Sequence, residues 1–121
     1  MNFNFMQALN EAKRLQETPE GKAEQILRSV KSELETRYSI SRISEIHFFV
    51  SSSNMDIESM SHRIIVSIKS IHNPTDLNQV YLSTPSSISD TLSIFNVLEK
   101  TLNGQVCEPL NSHLGHFKIK L

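Results

Sequence analysis

Near residue 40 the apolar pattern of this chain changes its period, and that change limits the fold more than any other feature. Before it, Ala23, Ile26, Leu27, Val30, Leu34 and Tyr38 recur at spacings of three and four, the stripe of an amphipathic helix. After it, Ile46, Phe48 and Val50 alternate with His47, Phe49 and Ser51, and Ile64, Val66 and Ile68 alternate with Ile65, Ser67 and Lys69. Successive strand residues point to opposite faces, so both runs read as strands with one buried face.

The punctuation agrees with this division. Thr18 is a good N-cap, Pro19 suits the first helical position, and Glu20 suits the positive helix end. The helix's outer face places Glu24 before Arg28, Lys31 before Glu35 and Glu33 before Arg37, each four apart, the mark of a solvated face. Upstream, Phe5, Ala8, Leu9, Ala12 and Leu15 make a helical stripe over 4–16. Downstream, the stretch HNPTD at 72–76 is a turn and Val80, Tyr81 and Leu82 a short third strand. Thr84 or Ser87 caps a helix carrying Ile88, Leu92, Phe95, Leu98 and Leu102, and Ser87 with Asp90 resembles a capping box. Gly104 is a natural stop. The last strand, HFKIKL, turns Phe117, Ile119 and Leu121 inward, and its outward lysines suit a sheet edge.

The predicted order is therefore α-α-β-β-β-α-β in a single domain over residues 1–121. The fold class is α+β: a two-layer sandwich with a mainly antiparallel four-stranded sheet and helices on one face. The helix before the last strand allows a parallel relation between the third strand and the last.

Charge narrows the function. With 12 basic and 13 acidic residues the formal net charge is -1. The charges are interspersed, without the basic stripe that phosphate binding calls for. Cys107 is the single cysteine, so no internal disulfide forms, which suits a reducing, cytoplasmic setting. No apolar run approaches the length needed to span a bilayer, and the N-terminus does not read as a secretory signal. Cys107, His113 and His116 lie within ten residues, yet they are one ligand short of a structural zinc site and lack its paired spacings. The stretch TPEGKAE holds Gly-Lys without the phosphate-loop spacing, and no catalytic motif stands out. No metal or other cofactor is expected.

The remaining feature is the sheet face away from the helices. His47, Phe49, Ile65, Ile71 and Tyr81 are expected there, a set too apolar for a plain wet face. The connection at 51–61 adds Met55, Ile57 and Met60, which serve either as a cover, should this loop or the first helix fold over the face, or as adaptable contact residues, and loops near that length are uncommon without a role. The expected function is a small non-enzymatic protein-binding module of inhibitor, immunity-protein, chaperone or adaptor type. It would act through an open face and loop comprising His47, Phe49, Met55, Ile57, Met60, Ile65, Lys69 and Tyr81. Its partner would be another protein, with self-association through the same face allowed. The alternatives are a single-stranded nucleic-acid binder that stacks bases on His47, Phe49 and Tyr81 with Lys69, Lys118 and Lys120 on phosphate, and a small metal protein or enzyme using Cys107, His113 and His116.

Overall fold

A computed structural model describes residues 18–53, 61–73, 75–108 and 113–121. The predicted helix over 4–16 and the residues Met55, Ile57 and Met60 lie outside the described residues.

The first described helix, α1, runs Pro19–Arg37. Thr18 Oγ1 accepts a 3.1 Å hydrogen bond from the Gly21 N–H, with Pro19 in the first turn, so one orphan donor of the helix start is satisfied. Ala23, Ile26, Val30 and Leu34 are its buried row. Five strands follow, with one helix among them: β1 (Ile43–Ser53), β2 (Ser61–Ser70), β3 (Leu77–Leu82), α2 (Ile88–Leu102), β4 (Gln105–Val106) and β5 (His113–Lys120). Ser87 Oγ caps α2 by accepting from the Asp90 N–H at 3.2 Å. At its other end Asn103, not Gly104, takes the left-handed conformation (φ 51°). Gly104 has a different reason to be glycine: a Cβ there would run into the Phe117 ring.

The sheet order is β3-β2-β1-β5-β4 with every pair antiparallel. Both helices cover one face. Ile46, Phe48 and Val50 from β1 meet Ile64, Val66 and Ile68 from β2, Phe117 from β5, and Ile94, Phe95 and Leu98 from α2 in one core. Phe48 and Phe117 stack with ring centroids 4.6 Å apart. Ile88, expected in the α2 stripe, is 46% exposed; Thr91 is buried on the core-facing side instead.

Two features of the predicted sheet are corrected. The sheet has five strands, because the two-residue β4 pairs Gln105 with Lys118 and Val106 with Phe117. That added strand reverses the chain once more. β3 and β4 consequently run the same way at opposite edges, and β5 runs against them beside β1. The last strand is neither parallel to the third nor an edge over its paired part.

Candidate functional site

The face opposite the helices is built by alternate residues of three strands. Phe49 of β1 stands between Ile65 of β2 and His116 of β5; His47 stands between Ser67 and Lys118; Glu45 stands between Lys69 and Lys120. A bulge at Ser44, whose hydroxyl donates to the Lys69 carbonyl at 3.1 Å, lets Ile43 and Ile46 both face the core while Glu45 faces out.

Polar groups on this face form a chain. His47 Nε2 is 3.0 Å from Glu45 Oε1, and His47 Nδ1 is 2.8 Å from His116 Nε2. A carboxylate only accepts, so His47 Nε2 carries a proton. In a neutral ring Nδ1 then accepts, and His116 Nε2 donates to it. Lys69 Nζ and Lys118 Nζ approach the two Glu45 oxygens at 3.5 and 3.4 Å. The His47 N–H, reinforced by these two ammonium groups, lowers the Glu45 pKa to about 2 against the opposing effect of burial. The rings pack as well: Phe49 stacks on His116 at 4.2 Å and His47 on His116 at 5.1 Å.

The expectation of an open face is overturned here. Phe49 is 4% exposed and His47 6%, and Ser67 and His116 are equally buried. Ile65 and Lys69 share this face and are half-buried; Ile71 lies beyond the end of β2, exposed. Tyr81 is not on this face at all. β3 carries a bulge, so that Tyr81 pairs with Val66 and Gln79 with Ser67. Val80 and Tyr81 both turn toward the helix layer and pack on the core, and burial raises the Tyr81 pKa.

Chemically, both His47 nitrogens are committed to Glu45 and His116, and among the described residues no hydroxyl or thiol is bonded to either one. Cys107 meets His116 through the backbone, its N–H donating to the His116 carbonyl at 2.9 Å, while its Sγ is 3.5 Å from the Gln105 carbonyl. Among the described residues no group of three or more His, Cys, Asp or Glu side chains could hold a metal ion. The His113 side chain lies outside the description. Among the same residues no helix is long and apolar enough to cross a membrane.

Among the described residues, the helix side has concavities of which two bear on binding. One, of about 290 Å³, sits between the start of α1 and the β3–α2 connection, with Lys22, Gln25, Tyr81 and Thr84 on its walls. Its other hydroxyls serve the fold: Ser83 Oγ accepts from the Ile64 N–H at 2.8 Å, and Thr91 Oγ1 is 2.8 Å from both Ser86 Oγ and the Ser87 carbonyl. The second is an open groove of about 500 Å³ between α1 and β3, lined by Arg28, Ser29, Ser32 and Glu33 on one side and Val80, Tyr81 and Leu82 on the other. Among the described residues nothing pairs with the outer edge of β3. Leu77 and Leu82 are 38% and 41% exposed there.

The sequence reading missed Glu45, which lies just before the apolar run, and the role of His116 as the hub of the ring cluster. The signal for Glu45 was its place in the period-two series Glu45, His47, Phe49. Compared with known proteins, the chain matches no family model, no curated protein and no solved structure.

Proposed function

We propose that this protein is a non-enzymatic protein-binding module that takes an extended segment of another polypeptide along the edge of β3. The β3 edge, unpaired among the described residues, carries this reading. An edge strand presents a row of backbone N–H and C=O groups that another strand can pair with. Natural edges are commonly blunted by lysine or proline, yet Leu77–Leu82 reads LNQVYL and holds no charge and no proline. The groove beside it, apolar on the β3 side and polar on the α1 side, has the mixed character of a docking surface.

This places the partner surface away from the His47 and Phe49 face. Base stacking needs open ring faces; His47 and Phe49 are buried against each other and His116, and Tyr81 lies on the other side of the sheet. A photo-reactive residue at Asn78, in cells that make the protein, tests the reading against one at exposed Asn96 on α2. Adducts with another chain are expected from position 78 and not from 96, and Gln79→Lys should abolish them. Identical adduct patterns from both positions, or none from 78, would refute it.

A further inference from the structure

We infer that the occupant of the β3 edge is a second copy of this chain, joined antiparallel about a two-fold axis between Gln79 and Val80; the inference rests on the edge-docking reading above. The strand is self-complementary in the register that uses all six residues. Leu77 then lies opposite Leu82 of the other copy, and Asn78 opposite Tyr81. Leu77 and Leu82 share the outer face, paired in the sheet with Lys69 and Ile65, while Asn78 and Tyr81 share the helix face, paired with Ile68 and Val66. Each of these two pairs therefore meets on one side of the sheet, as an antiparallel ladder requires; at the axis itself Gln79, beside Ser67, and Val80, on the core side, point to opposite faces. The β3 bulge falls at the axis, where the chain meets itself. With no charge in Leu77–Leu82, self-pairing sets no like charges against each other.

The helix wall of the groove has the same symmetry. An axis perpendicular to the sheet keeps both α1 helices on one side and reverses one relative to the other. The α1 lining runs Arg28, Ser29, Ser32, Glu33. Reversed, it sets Arg28 toward Glu33 of the other copy and Ser29 toward Ser32. A two-fold interface must be complementary to itself, and here the Leu77–Leu82 and Asn78–Tyr81 pairs and the charged helix row satisfy that condition. Arg28 and Glu33 now pair within their own helix, with Glu24 and Arg37; the Arg28 side chain is largely solvent-exposed and that of Glu33 partly so, which lets them turn to meet the other copy.

Sedimentation equilibrium on the full chain up to about 1 mM tests this, since specific association weaker than that has little consequence. A monomer–dimer equilibrium is expected. Arg28→Glu and Glu33→Arg should each weaken it roughly tenfold, because every substitution in a two-fold interface acts twice; combining the two should restore it, and Gln79→Lys should abolish it. Positions 28 and 79 are exposed and 33 is partly exposed, so helical circular dichroism and the unfolding midpoint should barely change. A monomer at every concentration, or a dimer indifferent to all these substitutions, overturns the inference. If the monomeric protein still crosslinks a different chain through position 78, self-pairing falls and edge docking survives; if no adduct forms, both fall.

Discussion

Replacing Glu45 with glutamine tests the polar chain on the outer sheet face, and the structure supplies the magnitude. The Glu45 pKa is lowered from 4.5 to about 2 by the His47 hydrogen bond and by Lys118 and Lys69. Each pH unit of difference corresponds to about 1.4 kcal/mol, so the full effect is about 3 kcal/mol. The side chains of Lys69 and Lys118 keep 30% and 23% of their exposure and recover part of the lost attraction from water. The amide introduced by Glu45→Gln still accepts from His47. We therefore expect a loss of about 2 kcal/mol at pH 7. The sign fixes the pH dependence. The folded pKa lies below the unfolded one, so the carboxylate's contribution is complete above about pH 4.5 and disappears as the pH falls toward about 2. Urea unfolding of both proteins from pH 7 down to pH 2 measures the gap, and taking the difference cancels groups that titrate alike in both. A gap that persists at pH 2, or none at pH 7, would show that the carboxylate does not hold this cluster together.

Other substitutions separate the layers. Phe48→Ala should cost about 3–5 kcal/mol, because Phe48 is fully buried against Phe117; a denaturant midpoint close to the wild-type value would contradict that packing. Phe49→Ala should cost at least about 2 kcal/mol, since its ring is 4% exposed and stacks on His116; a near-neutral effect would mean the outer face is open after all. Gly104→Ala should lose about 1–3 kcal/mol through collision with Phe117, read as a lowered melting temperature, and Gly104→Ala combined with Phe117→Leu should lose less than the two changes summed. Val30→Asp should abolish soluble, cooperatively folding protein, because Val30 sits mid-row in the α1 core face.

The helices and the two central strands were legible because their signals are local. Thr18 and Pro19 announced α1, and Ala23, Ile26, Val30 and Leu34 fixed its buried face within the 19 residues of the helix itself. The alternation of Ile46, Phe48 and Val50 sorted β1 correctly. What escaped depends on pairing between distant segments. β4 is two residues long, too short for any period to show, yet it decides the direction of β5. The β3 bulge appears only once β3 is laid against β2, and that one extra residue moves Tyr81 to the helix side. His47 and His116 are 69 positions apart; they meet because β1 and β5 are neighbours in a particular register.

The burial of the outer face and the lack of any partner for the β3 edge among the described residues bear on each other. A sheet with one covered face can offer the other as a broad docking platform. Here the central rings of the second face are also withdrawn from solvent, with Phe49, His47 and His116 stacked together and Glu45 held by His47 and two lysines. When both faces are closed, a sheet can still extend sideways, through the hydrogen-bonding groups of an edge strand. The two edges differ in this respect. β4 is two residues long and β5 beside it carries Lys118 and Lys120, which shortens that edge and surrounds it with charge, whereas β3 offers six residues with neither charge nor proline. An edge strand is where an added strand pairs, and this contrast in charge and length is what supports the proposal that a second polypeptide adds on the β3 side, beside the α1 groove.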